Sequence, residues 1–143
     1  MEERGKTLGT ARLIATLMYA GPLVIFPWVG RFVKTGMALG PKALAVLAPA
    51  LLFVAVTDYV ISLFVEARLL GQARDAGVAG KPVITAAVIT SAFGASLAVY
   101  GLVVTMLGAP AWGSVFYVLC GVHGLHLMMR WPQYAAGVAA RRA

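Results

Sequence analysis

The chain has few charges and almost no sulfur chemistry. Only 12% of its 143 residues are Asp, Glu, Lys or Arg, and 61% are hydrophobic, a balance far from that of an ordinary soluble domain. Cys120 is the single cysteine, which excludes an internal disulfide and a multi-thiolate metal site and leaves it the role of a small packing residue. No stretch alternates polar and apolar residues between turn signals, so a membrane barrel is excluded as well. There is no cysteine pair, no glycine-rich phosphate loop and no clustered nucleophile and base. No internal repeat relates the two halves of the chain.

What remains is long apolar helix. Four segments, 12–28, 43–65, 82–107 and 111–129, reach or approach the roughly 20 residues needed to cross about 30 Å of hydrocarbon. The expected fold is therefore all-α, an integral membrane bundle of four transmembrane helices in which residues 1–143 form a single domain. Met1–Lys6 followed by an apolar run also resembles a signal peptide with a cleavage site near Met18-Tyr19-Ala20. Apolar residues continue to Val29, past a normal signal core, which favours an uncleaved first span.

Basic residues set the expected orientation. Arg4, Lys6, Arg12, Arg68, Arg74, Lys81, Arg130, Arg141 and Arg142 fall on one side, and only Arg31, Lys34 and Lys42 on the other. By the positive-inside rule both termini and the loop Glu66–Lys81 are cytoplasmic in a multi-pass protein, expected in a bacterial cytoplasmic membrane. The net charge of +7 then faces anionic phospholipid headgroups, and nucleic acid is not an expected partner. Trp28 and Trp112 fall near the outer interface and Trp131 near the inner one. Pro41 suits the first turn of the second helix, and Pro22 and Pro27 are expected to kink the first. Gly108-Ala109-Pro110 is so short a link that the third and fourth spans must be antiparallel neighbours. Gly94, Ser96, Gly101, Gly113, Gly121 and Gly124 are expected to let those two helices approach closely.

Three ionisable side chains fall inside the spans: Asp58, His123 and His126. By helical rise, Asp58 lies about 15 Å from the helix end at Arg68, and the histidines about 10 and 6 Å from Arg130. An intramembrane carboxylate faces the bundle interior and pairs, or stays protonated, so Asp58 is either a structural hydrogen-bond anchor or a proton site, with Thr57 and Tyr59 at hand to solvate it. His123 and His126, three apart, share a helix face. That spacing suits a structural pair, proton handling, or metal or haem ligation. The remaining interior is expected to hold little that is polar.

The string Gly113-Ser114-Val115-Phe116-Tyr117-Val118-Leu119-Cys120-Gly121-Val122-His123-Gly124-Leu125-His126 resembles a helix of haem–copper oxidase subunit III, which runs glycine-serine, aromatic pair, then glycine-x-histidine-glycine-leucine-histidine. The second span is similar to that family's acid-bearing helix through Leu52-Phe53, Thr57-Asp58 and Phe64, with an aspartate where the family has glutamate. Five or seven spans are usual in the family, so the resemblance implies a reduced or divergent member. It further implies a non-catalytic subunit that holds no cofactor itself, packs beside catalytic subunits carrying haem and copper, binds phospholipid between its helices and helps sustain proton uptake. Two other readings stay open: a small haem-binding electron-transfer protein using His123 or His126, and a small transporter coupled through Asp58. Leu97-Ala98-Val99-Tyr100-Gly101-Leu102-Val103-Val104 is similar to the outer helix of rotary-ATPase proteolipids, but the ion-carrying acid would fall at Ala95 or Ser96, which carry no carboxylate.

The orientation has a direct check. Reporter fusions at Gly77 and Gly40 should be active on the cytoplasmic and external sides respectively, and an externally active reporter at Gly77 would reverse the topology.

Overall fold

A computed structural model of the chain describes residues 2–33, 38–75 and 80–139. It is an all-α membrane bundle. Helices α1 (Glu2–Phe32), α2 (Pro41–Asp75), α3 (Gly80–Met106) and α4 (Pro110–Met129) each contain a stretch long and apolar enough to span a bilayer, and a short α5 (Trp131–Ala139) follows. The spans within them, Leu8–Gly30, Pro41–Gln72, Lys81–Met106 and Pro110–Met129, contain the expected ones except at Leu107, and α2 runs well beyond Val65. Lys34, Gly77, Arg141 and Arg142, used above in the topology argument, lie outside the described residues.

The ends of the elements follow from backbone chemistry. Proline has no N–H to leave unpaired, and both Pro41 and Pro110 open their helices at the first position. Helix α3 ends in a glycine at positive φ: Gly108 has φ +97°, its N–H bonds the Thr105 carbonyl and the next N–H, on Ala109, bonds back to Val104. These two bonds satisfy carbonyls that the helix end would otherwise orphan, and they reverse the chain within three residues. Helix α1 runs through Pro22 and Pro27 and α2 through Pro49 without interruption. Pro132 acts differently. It can donate no bond back to α4, which stops at Arg130, and the Gln133 N–H bonds the Arg130 carbonyl to begin α5. The fifth helix was not among the expected elements.

Helix α3 is the axis of the bundle and packs against α1, α2 and α4. In its span 44% of residues are buried, against 11% in those of α1 and α2. The inside is built largely from small residues, Ala11, Ala15, Ala48, Ala55, Ala86, Ala87 and Ala98 among them, while Phe53, Phe64, Leu17 and Met129 stand outside. Lipid is as apolar as a leucine core, so burying large side chains gains little, and close backbone approach sets the packing instead. At the Gly108 end the closest approach is Gly101 on Gly113. A Cβ on Gly113 would lie 2.8 Å from the Gly101 carbonyl oxygen and would collide with Thr105 Oγ1.

Only part of the glycine set serves α3 and α4 in this way. Gly94 and Gly124 instead face the ring of Tyr19 from α1, Gly121 meets nothing within 4 Å, and Ser96 bonds the Phe93 carbonyl of its own helix. Gly113→Ala should therefore destabilise the bundle by about 1–3 kcal/mol, since backbone stands in the way, and Gly121→Ala should be silent. Thermal unfolding in detergent checks both, and equal melting of the two variants would remove the Gly101–Gly113 contact as a determinant.

Candidate functional site

The inward stripe of α2 steps through Ala55, Tyr59, Ser62, Glu66 and Leu70 at the three- and four-residue spacing of one helix face. That of α4 carries Phe116, Cys120, His123 and Leu127, all buried. Where the two stripes meet α1, His123 is fully buried with both ring nitrogens engaged. The Tyr19 hydroxyl meets Nδ1, and Ser62 Oγ lies 2.8 Å from Nε2. Ser62 also donates to the Tyr59 carbonyl at 2.7 Å, which leaves its oxygen to accept from the ring. A neutral imidazole protonated at Nε2, with Tyr19 donating to Nδ1, satisfies every group. The Tyr19 hydroxyl is also 3.4 Å from the carbonyl of Thr90 on α3. One imidazole thus ties α1, α2 and α4 together.

His126 does not share that site. It is half-buried, its Nε2 has no hydrogen-bond partner among the described residues, and it meets His123 only through Tyr59, whose ring stands edge-on to both at centroid distances of 4.8 and 6.4 Å. No three of His, Cys, Asp and Glu come together as potential metal ligands among the described residues.

Asp58 faces another way, towards α3. It is half-buried and accepts a hydrogen bond of 2.8 Å from the Tyr100 hydroxyl. The expected helpers are elsewhere: Thr57 bonds the Phe53 carbonyl of its own helix at 2.9 Å, and Tyr59 turns to the histidines. The carboxylate borders an open cleft of about 310 Å³ shared with Ile89, Ala92, Phe93 and Ser96 of α3. Val54 and Ile61, on the adjoining strip of α2, are 42% and 44% exposed, so the acid stands beside an apolar outer face.

The interior is also more polar than expected. Glu66, expected in the cytoplasmic loop Glu66–Lys81 whose first half extends the second helix beyond the membrane, does lie inside α2 but is fully buried. Its Oε2 is 3.3 Å from a guanidinium nitrogen of Arg130, and Arg130 is steadied by two bonds to Gln133 Oε1 of 3.1 and 2.8 Å. Tyr134 of α5, also fully buried, sits beside the same carboxylate and beside Thr90. Burial first, and the Glu66 charge next, push the Tyr134 phenol above its ordinary pKa, so it stays a neutral donor. The signal for Glu66 was its place four residues after Ser62 on the Tyr59 stripe. A charge count assigned it to the loop instead.

A groove of about 580 Å³ separates α1 from α4 and α5, with Arg12 and Trp131 among its walls and Tyr19 and Gly124 deeper in. Comparison of the chain with protein-family models, with curated proteins and with solved structures finds no match.

The polar core predicts its own mutational order. Tyr19→Phe or Ser62→Ala leaves one buried imidazole nitrogen unpaired and should cost about 1–3 kcal/mol each. Arg130→Ala strands a buried carboxylate and should cost up to about 3 kcal/mol, with Glu66→Gln in the same chain restoring part of the loss. Denaturation of the purified variants checks the order, and no recovery in the double variant would mean that Glu66 does not depend on Arg130.

Proposed function

We propose that the chain is a non-catalytic accessory subunit of a larger membrane complex, most concretely a subunit III-like component of a haem–copper terminal oxidase that supports proton uptake and the stability of the assembly. The observation that carries the reading is the Asp58 face. A carboxylate in the middle of a span with one hydroxyl partner, bordered by Val54, Ile61 and Ala92 at the bundle surface, is poorly satisfied in lipid and well satisfied under a neighbouring helix that brings another donor. Catalytic and other subunits of the complex are the partners, haem and copper belong to them, and phospholipid lies along the groove between α1 and α4.

The geometry weighs against His123 as the ligand of the haem-carrying alternative, which would then rest on His126, whose Nε2 has no partner among the described residues. Both ring nitrogens of His123 already serve Tyr19 and Ser62, so iron ligation there would break two buried hydrogen bonds. The transporter alternative would use Asp58, whose cleft opens sideways between α2 and α3 and contains no broken helix.

Asp58 supplies the test. Asn keeps an acceptor for Tyr100 and Ala does not. After gentle detergent extraction the tagged chain should bring haem-bearing polypeptides with it, Asp58→Ala should lower their yield several-fold, and Asp58→Asn should retain assembly while slowing oxygen consumption by the complex. Retention of both assembly and turnover in the two variants, or a monodisperse pigmented monomer, would overturn the reading.

A further inference from the structure

Helix α3 packs against both α1 and α2, but those two scarcely meet each other, so one side of α3 stays open between them. Leu102 and Thr105 approach Gly30 of α1, and Tyr100 reaches Asp58 of α2. The face of α3 between those directions carries Ile89, Ala92, Ser96, Val99 and Val103. Their spacings alternate between three and four, the pattern along which one helix lies lengthwise on another at a crossing angle of about 20°. None of the five is buried, and Val99 and Val103 are 43% and 41% exposed. Ala92 and Ser96 are small where the outward faces of α1 and α2 carry Leu17, Trp28, Phe53 and Phe64, so a second backbone can come close along this trough.

Asp58, on the α2 edge of the trough, decides what covers it. The acid shares its cleft with Ile89, Ala92 and Ser96 and has Tyr100 as its one hydrogen-bond donor among the described residues. An acyl chain has no donor to offer, and a lipid headgroup stays near the helix ends, about 15 Å from Asp58 on the Arg68 side. A second copy inserted the same way up meets like depth with like. There its Tyr100 serves its own Asp58, while Thr57 and Ser96 give their protons to carbonyls of their own helices. We propose that the trough receives one transmembrane helix of a neighbouring subunit, lying along residues 89–103 and presenting a serine, threonine, asparagine or glutamine to Asp58. The donor is neutral because a lysine or arginine would hold the carboxylate ionised, and a group that supports proton uptake has to gain and lose its proton. The partner's existence rests on the accessory role proposed above, but its contact along α3 does not follow from that role.

The test places a photo-crosslinking residue at Val99 of the tagged chain, irradiates intact membranes and identifies the captured peptide by mass spectrometry. The expected product is one apolar segment of another polypeptide, with Ser, Thr, Asn or Gln within a helical turn of the crosslink. The same residue at Val118, 64% exposed on the outward face of α4, should not capture that segment. Ala92→Phe fills the trough at an exposed position. It should abolish the Val99 product and lower recovery of the co-purified polypeptides several-fold, while the purified chain melts as the native one does. Capture of lipid alone, of a second copy of this chain, or of a segment whose polar residue there is Lys or Arg would overturn the proposal, as would an unchanged product in Ala92→Phe. The two readings also separate. Haem-bearing polypeptides recovered at native yield with Ala92→Phe would sink the trough and leave the oxidase role standing, whereas capture of a donor-bearing helix from a complex without haem would do the reverse.

Discussion

The imidazole of His123 is the joint on which the rest of the bundle depends. In water a four-helix protein is drawn together by its apolar faces, but lipid removes most of that drive, and what positions one helix against another is close contact and polar bonds. His123 supplies the second across three helices, with Tyr19 reaching in from α1 and Ser62 from α2. Gly94 and Gly124 then make sense as clearance for the Tyr19 ring: a Cβ on Gly94 would collide with that ring, and one on Gly124 would lie 3.1 Å from it. The small residues and the polar clasp are two parts of one arrangement, because the tyrosine reaches the imidazole only where the helices beside it present no side chain.

The two ends of the bundle are held by different physics. At the Gly108 end α3 and α4 are joined by a three-residue turn and by glycine packing, with Thr105 bonding its own helix at Gly101. At the Arg130 end there is no short covalent link between α1 and its neighbours, and the contacts are an ion pair, a buried phenol and the stacked rings of Trp131 and Tyr134, whose centroids are 5.3 Å apart. A buried ion pair adds little net stability once desolvation is counted, but losing one partner is costly, so Glu66 and Arg130 act to fix register more than to add strength. Helix α5 closes that end by setting Tyr134 against the carboxylate.

Hydropathy carried most of the architecture. Spans of 20 apolar residues, Pro41 as a helix start, and the reversal at Gly108 are all local signals, and local signals are legible in one chain; Pro110, read as part of the link, opens α4 instead. Helix α5 was not, because nine residues with a proline at the second position look like a tail unless it is known that Tyr134 has somewhere to go. The site was legible in identity but not in grouping. Asp58, His123 and His126 were all singled out, yet they point to three different environments, since Asp58 stands off the Tyr59–Ser62–Glu66 stripe and His126 off the Phe116–Cys120–His123 stripe. Glu66 was missed for a physical reason: a carboxylate near a basic loop reads as solvated, and only tertiary structure brings Arg130 to it.

That separation of the polar groups bears on how such a chain works in a membrane. A site built for chemistry brings its titratable groups within reach of one another and of a substrate, whereas here His123 is satisfied by its own fold and Glu66 by Arg130. Asp58 alone among the three acid and imidazole positions with assigned hydrogen bonds remains at the surface, held by a single tyrosine beside an apolar strip. In hydrocarbon an acid so placed gains more from a neighbour than from any rearrangement of its own bundle, because the nearby hydroxyls among the described residues are spoken for: Thr57 and Ser96 are both committed to carbonyls of their own helices. The interior polar groups specify how the four helices fit one another, and the exterior one is where, on the proposed function, a neighbouring subunit would complete the bundle.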